Sequence, residues 1–253
     1  EAEFSIGGRP IAESYRVKIG RQDVQDKRKY VRIAEQEFPT RRHAFVVAPA
    51  ATVEPARISP NFGASLHFSM YQDDLPLSRL IGFHHLRVHR IDWNLVETER
   101  GKFNWGHLDD FMKRAYANGY HDENIVFNVF GTPKWASSRP EADWINICVR
   151  EYATVAPRDL EDWKVFLRQL IHRYPGVKRY EIWNEPHLIG FSCFWADSVS
   201  NFVHLLKAGY ETVKTEKPEA TVWLGGIGMR YLPFYDEFLK TGGGSFYDVL
   251  PLH

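Results

Sequence analysis

The sequence is poor in cysteine, has no surplus of either charge and contains no long apolar run. Its two cysteines, Cys148 and Cys193, are too few for a disulfide framework or for the four-ligand shell of a structural zinc ion. Lys and Arg together number 32, as do Asp and Glu, so no overall field draws the chain to nucleic acid or to an anionic membrane. No run approaches the roughly 20 apolar residues of a membrane span. We therefore expect a soluble protein with a neutral partner.

Apolar and aromatic residues, by contrast, are plentiful. Hydrophobic residues make up 44% of the 253 positions and aromatic residues 15%, enough for a large core in one big domain or two small ones. The 8 Trp, 12 Tyr and 17 Phe suit stacking on the apolar faces of sugar rings, and they suit core packing equally well. Composition leaves both uses open.

The first 60 residues differ in composition from the rest. Residues 1–4 resemble the remnant of a processed secretion leader at a cloning site, so we set them apart from the fold. Such a remnant indicates secretory expression and does not require native secretion. The sequence leaves the location open, with a secreted or extracytoplasmic one slightly favoured. Residues 5–60 are rich in Arg, Lys and Val, and strand-like stretches at 15–19 and 44–48 predict an accessory β segment. Carboxylates among the basic residues favour a solvated strand face over a nucleic-acid site.

From residue 61 onward, apolar runs of strand length alternate with amphipathic stretches of helical length, which is typical of βα units around a parallel sheet. The six predicted strands lie at 64–68, 85–91, 124–130, 178–183, 221–226 and 246–252. The five predicted helices lie at 73–81, 107–118, 159–173, 198–216 and 232–240. The second is expected to begin at Asn104 or Gly106, and the third at Arg158 and Asp159.

This pattern predicts an α/β fold, namely a (β/α)8 TIM barrel of which residues 61–253 supply the first six βα units. An open doubly wound sheet is the competing architecture, but the segment 63–68 lacks the Gly-rich phosphate loop of that fold. A parallel sheet that stopped at strand six would have an open apolar edge. We therefore expect the remaining strands to come from the same protein or from a companion fragment.

The strongest chemical pattern is WNEP at 183–186, which places a carboxylate next to a side-chain amide at the end of predicted strand four. Barrel active sites form at this rim. Retaining cleavage of a glycosidic bond needs a carboxylic acid beside the leaving oxygen and a second carboxylate about 5–5.5 Å away. Glu185 fits the acid, and burial against Trp183, Phe191 and Trp195 would raise its pKa for this role. For a Glu taken alone, a salt bridge is the commoner role.

Several segments together resemble a known group of enzymes. The run EIWNEP at 181–186 resembles the signature of glycoside hydrolase clan A, whose members are retaining (β/α)8-barrel enzymes. The runs RVHRIDW at 87–93, RGKFNW at 100–105 and TPKWA at 132–136, with Glu97, are similar to family 39, which groups β-xylosidases and α-L-iduronidases. The resemblance covers residues 61–253 and does not extend to the first 60 residues.

The resemblance implies roles for four residues. Glu185 would be the general acid/base, and Asn184 would hydrogen-bond the sugar 2-hydroxyl, an interaction that strengthens in the transition state. His67 after strand one and His253 after strand six match family positions that contact the sugar at the point of cleavage; taken alone, each would be a structural histidine. No metal or organic cofactor is expected, because two carboxylates suffice for this reaction.

The same resemblance places the nucleophile, a Glu, at the end of strand seven, beyond the six strands predicted here. Without that carboxylate no covalent glycosyl-enzyme intermediate can form. We therefore expect these 253 residues alone to be inactive, and the complete protein to be a retaining hydrolase of oligo- or polysaccharides.

Other residues near the predicted rim remain open to two interpretations. Arg87, Arg90 and Asp92 lie on strand two, where Arg90 and Asp92 share a face, so at most one set reaches the pocket. An inward Arg either orients or pairs with a catalytic carboxylate, or it forms an ion pair inside the barrel; Arg90 and Asp92 are also candidates for binding substrate. Trp135 is either a stacking platform for a sugar or a seal on the loop after strand three. His187, in the loop after Glu185, is a further candidate for binding substrate.

Cys148 and Cys193 fall in the loops after strands three and four, which neighbour each other at the same barrel face. They either form a disulfide that stiffens the rim in an oxidising compartment or remain two free thiols.

Two other classes of function compete with a glycosidase. A carbohydrate-binding protein would keep the pocket without catalysis, and a Glu on strand seven would distinguish the two. A metal-dependent hydrolase on a similar barrel is disfavoured because most of the histidines are scattered along the chain.

Overall fold

The computed structural model describes four strands within the first 38 residues and, after them, residues 59–67, 74–80, 82–146, 149–187, 194–228 and 232–253. The chain divides into two compact units, residues 1–52 and residues 53–253. The second unit therefore begins before residue 61, where the predicted βα pattern starts. None of the described helices is long and apolar enough to cross a membrane.

The first unit contains two antiparallel strand pairs. Strands β1 (Ser5–Ile6) and β2 (Arg9–Pro10) pair with each other, as do β3 (Tyr15–Gln22) and β4 (Tyr30–Phe38). The strand predicted at 15–19 is confirmed within β3, whereas the stretch at 44–48 lies outside the described residues. Strand β4 was not expected, because its alternating charged residues resemble those of a solvated turn.

The second unit is built on a five-stranded parallel sheet with the order β11-β10-β7-β6-β5. The strands are β5 (Ser59–His67), β6 (Phe83–Asp92), β7 (Ile125–Phe130), β10 (Arg179–Ile182) and β11 (Thr221–Leu224). They confirm the first five predicted strands. Each neighbours the next such strand along the chain, which is the order in which barrel strands follow one another. A short antiparallel pair, β8 (Ile145–Asn146) and β9 (Val149–Arg150), lies in the loop after β7.

The prediction of a sixth regular strand at 246–252 is wrong. This segment meets β11 and the residues after it through two isolated parallel bridges, Trp223 to Val249 and Ile227 to Leu252. Pro251 has no N–H to donate, so a continuous ladder cannot form through it. Backbone bonds from Leu224 to Val249 (3.0 Å) and from Ile227 to Pro251 (3.1 Å) nevertheless hold the segment parallel to β11.

All five predicted helices are confirmed: α1 (Asp74–Leu80), α3 (Gly106–Ala117), α4 (Leu160–Arg173), α5 (Val199–Glu216) and α6 (Leu232–Lys240). The predicted start of α4 is right, because the Asp159 carboxylate accepts a hydrogen bond from the Glu161 N–H (2.8 Å). Helix α3 has Trp105 as its N-cap, and Asn104 Oδ1 accepts from the Gly106 N–H (3.2 Å). A single turn, α2 (Trp93–Val96), was not expected.

The two faces of the sheet differ in polarity, and this difference positions the candidate site. One face packs against the helices through fully buried apolar residues: Leu86, Val88, Phe127, Tyr180 and Ile182 from the strands, and Phe166, Leu170, Phe202 and Leu206 from α4 and α5. Burial of each large side chain contributes about 1.5–3 kcal/mol. Because side chains alternate along a strand, the residues between them, such as Arg87, Asn128 and Glu181, point to the opposite face.

Candidate active site

A buried ion pair joins strands β6 and β10 on the polar face. Arg87 donates through Nε and Nη2 to the two carboxylate oxygens of Glu181, at 2.5 and 2.9 Å. Glu181 is fully buried, and its Oε1 also accepts from the Gly226 N–H (3.0 Å). A buried carboxylate is tolerated only where such donors replace water. The pair fixes the Arg87 side chain across strand β7, which lies between β6 and β10 in the sheet.

Arg87 in turn holds the side chain of Asn184. Arg87 Nη2 donates to Asn184 Oδ1 at 2.9 Å, and Asn184 is buried. A guanidinium can only donate, so the atom it faces must be the amide oxygen. This contact fixes the orientation of the amide and leaves its NH2 group as the end that can donate to another molecule.

The backbone at the end of β10 adopts two unusual conformations. Trp183 and Glu185 have φ values of 71° and 44°, in the left-handed region that costs about 1–2 kcal/mol per residue without glycine. Hydrogen bonds hold both backbone groups of Trp183, because its N–H donates to Val129 O (2.8 Å) and its carbonyl oxygen accepts from Asn128 Nδ2 (2.5 Å). Strained backbone of this kind clusters at functional sites. It directs the adjacent Asn184 and Glu185 to different partners.

Glu185 is paired with a histidine from the end of the chain. His253 Nδ1 donates to Glu185 Oε1 at 2.9 Å, and the Glu185 side chain is 26% exposed. This hydrogen bond lowers the pKa of Glu185 below its usual value, and partial burial opposes the effect without overcoming it. The expectation that aromatic burial raises the pKa of Glu185 is therefore wrong. Trp183 and Trp195 pack against each other edge to face instead, at 5.1 Å between ring centroids.

The position of His253 depends on a glycine. A Cβ atom at Gly226 would lie 2.1 Å from His253 Nε2, far inside the limit for non-bonded atoms. Glycine is thus required for the histidine ring to approach the backbone after β11. Since the Gly226 N–H also binds Glu181, this residue links the Glu185–His253 pair with the Arg87–Glu181 pair.

His187 lies near Glu185 but is almost fully buried. Its Nε2 accepts a hydrogen bond from the Gly228 N–H at 3.1 Å, so the ring proton sits on Nδ1 when the ring is neutral. Burial lowers the pKa of His187, which favours that neutral form. His187 therefore connects the segment directly after β10 to the backbone at Gly228.

Arg90 and Asp92 form an ion pair of their own at the end of β6. Arg90 donates through Nε and Nη2 to the two oxygens of Asp92, each at 3.1 Å, and its guanidinium lies 4.9 Å from the ring centroid of Phe130. Burial raises the pKa of Asp92 to about 6, against the opposing effect of Arg90. The described hydrogen bonds and ion pairs do not join Arg90 or Asp92 to Glu185 or Asn184; of the strand-two candidates, Arg87 is the one that reaches the site.

Trp135 packs within the loops after β6 and β7. Its Nε1 donates to Glu97 O (2.8 Å), its ring contacts Trp93 edge to face, and the Arg100 guanidinium lies 5.0 Å from the ring centroid. These contacts favour the second of its two interpretations, a residue that seals the loop.

Three predicted site residues cannot be placed by their side chains. His67 is the last residue of β5 and pairs in register with His89, but its side chain lies outside the described residues. Cys148 and Cys193 also lie outside them, so their pairing stays a prediction.

The sequence interpretation did not assign Glu181 or Gly226 to the site. The signal for Glu181 was a charged residue within the otherwise apolar strand β10, where it must find a buried partner. That partner, Arg87, lies 94 residues away, and nothing local in the sequence identifies it.

Comparisons with known proteins agree on the type of barrel. The family model described as β-galactosidase, glycoside hydrolase family 42, matches residues 65–224. The chain is 23% identical to a family 39 glycoside hydrolase from Bacteroides cellulosilyticus WH2, with a TM-score of 0.54 over 76% of this chain and 37% of that one. It is 20% identical to a monomeric β-xylosidase from Caulobacter crescentus CB15 (TM-score 0.53; 74% and 39%) and 14% identical to a β-galactosidase from the psychrophilic Marinomonas ef1 (TM-score 0.54; 74% and 40%).

At these identities the solved structures establish the fold, which is that of clan A TIM-barrel glycoside hydrolases. The chain spans less than half the length of each of these three structures. No curated protein matches it. The predicted α/β barrel and the resemblance to clan A are confirmed.

Proposed function

The chain belongs to glycoside hydrolase family 42, a β-galactosidase family of clan A, and we propose that the complete protein is a retaining glycosidase with Glu185 as its general acid/base. The observation that carries this proposal is the arrangement at the end of β10. There Glu185 is partly exposed and bonded to His253, while the neighbouring Asn184 is held by Arg87. A carboxyl group at the carboxyl end of a barrel strand can supply the acid that glycoside cleavage requires, and an oriented amide beside it can bind a sugar hydroxyl.

In the proposed first step, a carboxylate nucleophile attacks the anomeric carbon while Glu185 transfers its proton to the departing glycosidic oxygen. The C–O bond to the leaving group breaks, and a glycosyl ester forms on the nucleophile. In the second step, Glu185 removes a proton from water, whose oxygen displaces the ester. Glu185 ends each cycle protonated, as it began.

Glu181 is unsuited to be the nucleophile. Both of its oxygens accept hydrogen bonds from Arg87, one also accepts from the Gly226 N–H, and the side chain is fully buried. We propose instead that a Glu on barrel strand seven of the complete protein fills this role. Its charge, about 5–5.5 Å from Glu185, would raise the pKa of Glu185 and offset the lowering caused by His253.

The neighbouring residues have supporting roles in this proposal. The NH2 group of Asn184, which is the donating end of the amide that Arg87 holds, would donate to the sugar 2-hydroxyl. His253 would keep the Glu185 carboxylate in place during the second step, when that group must accept a proton. His67 would contact the sugar from the end of β5, and His187 would act on substrate only through the segment that it connects to Gly228.

The test is turnover by the complete protein carrying Glu185→Gln, a change that keeps the shape of the side chain and removes its titratable proton. Alkyl xylosides and galactosides have poor leaving groups that need protonation, so their hydrolysis should fall by about 10²–10⁴-fold. Glycosides of 2,4-dinitrophenol need no proton for departure, so the first step on them should be slowed much less. The matched control is Glu161→Gln, at an exposed ion pair on α4. Unchanged turnover of the alkyl glycosides by Glu185→Gln would contradict the assignment.

A carbohydrate-binding protein without catalysis is the second candidate, and the lowered pKa of Glu185 favours it, because an ionised carboxylate accepts hydrogen bonds from sugar hydroxyls. The two functions differ in the complete protein. A binding protein would bind alkyl xylosides or galactosides without hydrolysing them.

A further inference from the structure

A cavity of about 240 Å³ lies where the loops after β6 and β7 meet, and it does not include Glu185. Its lining consists of Arg90, Asp92, Asn94, Leu95, Phe130, Ile145, Val149, Arg150 and Ala153. Pockets for drug-sized molecules start at about 300 Å³, so this cavity suits a smaller group, such as one sugar ring.

The charged groups that line this cavity, here called the Arg90 cavity, have partners. Arg90 is bonded to both oxygens of Asp92, and Arg150 Nη1 lies 3.5 Å from the Asp143 carboxylate. Among the described lining residues, the cavity therefore offers no uncompensated charge to an ionic ligand. It does offer hydrogen bonds, because the two contacts to Asp92 use only two of the five N–H groups of Arg90.

One wall of the Arg90 cavity is apolar and open to solvent. Leu95 is 53% exposed and Ile145 is 63% exposed, and Trp144, next to Ile145 in the chain, is 60% exposed. Phe130 covers the inner side, beneath the Arg90 guanidinium. The apolar wall matches the C–H face of a pyranose ring, and the planar hydrogen-bonding groups on the other side match the hydroxyl groups around its edge.

The Arg90 cavity is connected to the Glu185 site through packed residues. The Phe130 ring lies 4.8 Å from that of Trp183, which precedes Asn184 and Glu185 in the chain. Asn128 bridges the same two places, since its Oδ1 accepts from the Arg90 N–H (3.0 Å) and its Nδ2 donates to Trp183 O. Both sites lie at the carboxyl ends of parallel strands, so a sugar chain bound at Glu185 can extend along this face.

We propose that the Arg90 cavity binds one neutral sugar unit of the substrate, apart from the unit that is cleaved at Glu185. The inference rests on the proposed function and deepens it: the substrate is an oligosaccharide or polysaccharide chain, rather than a disaccharide or a glycoside with a small leaving group. Affinity must then increase with chain length, and this increase must depend on the residues that line the cavity.

The test is calorimetric titration of the 253-residue protein with β-1,4-linked xylo-oligosaccharides and galacto-oligosaccharides of two and six units. In at least one series, we expect the six-unit chain to bind about tenfold more tightly or better, which corresponds to 1.4 kcal/mol. Equal affinity for both lengths in both series, or no binding by any of the four, would overturn the proposal.

Two variants assign the length dependence to the cavity. Leu95→Ser with Ile145→Ser removes the exposed apolar wall and should bring the ratio of six-unit to two-unit affinity below about threefold, with two-unit affinity unchanged. Arg90→Lys keeps the positive charge beside Asp92 but removes the planar guanidinium group. This variant should also lower the ratio of six-unit to two-unit affinity. The matched control is Val165→Ser with Leu239→Ser, exposed apolar residues on α4 and α6 outside the cavity, which should leave the ratio unchanged.

The results separate this inference from the proposed function. If Glu185→Gln lowers turnover of alkyl glycosides as predicted but the cavity variants leave the length ratio unchanged, the glycosidase assignment stands and the cavity proposal is wrong. If the length ratio depends on the cavity but Glu185→Gln leaves turnover unchanged, sugar binding stands and the catalytic assignment is wrong.

Discussion

Arg87 and Arg90 lie on the same strand, and each binds both oxygens of a carboxylate, yet their surroundings differ. Glu181, the partner of Arg87, accepts a further bond from a backbone N–H and is sealed from solvent, and the pair holds Asn184 in place. The partner of Arg90 has only the guanidinium among its described donors, and this pair faces a cavity. The same type of ion pair thus positions a side chain in one place and lines a cavity in the other.

The largest effect is expected from Glu181→Ala, which removes one partner of the pair that positions Asn184. Arg87 would be left largely buried without a counter-charge, and the Gly226 N–H would lose its acceptor. Loss of one member of a buried pair costs about 3–5 kcal/mol in the free energy of unfolding. Urea denaturation monitored by tryptophan fluorescence measures this cost.

Glu161→Ala on α4 is the matched control for Glu181→Ala, because Glu161 pairs with Arg168 at an exposed site. Exposed pairs contribute about 0–1 kcal/mol, so this variant should unfold close to the parent midpoint. A loss below about 1 kcal/mol for Glu181→Ala itself would mean that the Arg87–Glu181 pair does not organise the site.

The Arg90–Asp92 pair should make the free energy of unfolding depend on pH, because the pKa of Asp92 differs between the folded and the unfolded chain. Burial raises the pKa of folded Asp92 to about 6, above the value of about 3.9 in an unfolded chain. A raised pKa contributes stability that is fully present below the unfolded pKa and is lost as pH rises through the folded pKa. Between about pH 4 and pH 6, the parent should lose up to about 3 kcal/mol relative to Asp92→Asn, which does not titrate.

Urea unfolding of the parent and of Asp92→Asn at half-unit steps from pH 4 to pH 7.5 tests this prediction. Asp109→Asn is the control, because the hydrogen bond from Arg173 lowers the pKa of Asp109, so the stability that Asp109 contributes should be lost as pH falls rather than as it rises. Parallel curves for the parent and Asp92→Asn would show that Asp92 keeps its ordinary pKa and that the Arg90 pair is solvated like a surface pair.

The sequence predicted the elements better than it predicted the contacts between them. Helical periodicity identified α3, α4 and α5 almost to their ends, because amphipathic spacing is local. Alternation along β6 fails at Arg90, whose φ of 56° coincides with a register shift in the pairing with β7. A simple period of two therefore could not show which arginine reaches the site.

The candidate site divides in the same way between local and distant signals. The motif identified Glu185 and Asn184, since both lie in one short run. The direction of the Glu185 pKa shift was missed because it depends on His253, which lies 68 residues away and reaches Glu185 only where Gly226 makes room. Residues that are brought together by separate strands leave no mark on the local pattern.

The smallest effect on stability, and the most direct check on the site, is expected from His253→Phe. Phe keeps a ring beside Gly226 but removes the Nδ1 donor, so the pKa of Glu185 should rise toward its ordinary value. A lowered pKa contributes stability that is present above the unfolded pKa and is lost as pH falls through the folded pKa, so the parent's advantage should disappear in acid. Because both side chains are partly exposed, that advantage at pH 7 should be below about 1 kcal/mol. Carbon-detected NMR titration of the Glu185 carboxyl in the parent and the variant measures this pKa shift. Identical titration curves would show that His253 does not bind Glu185 in solution. The candidate active site would then lack the carboxylate–histidine hydrogen bond that sets it apart from the Arg90 cavity, where the carboxylate pairs with an arginine.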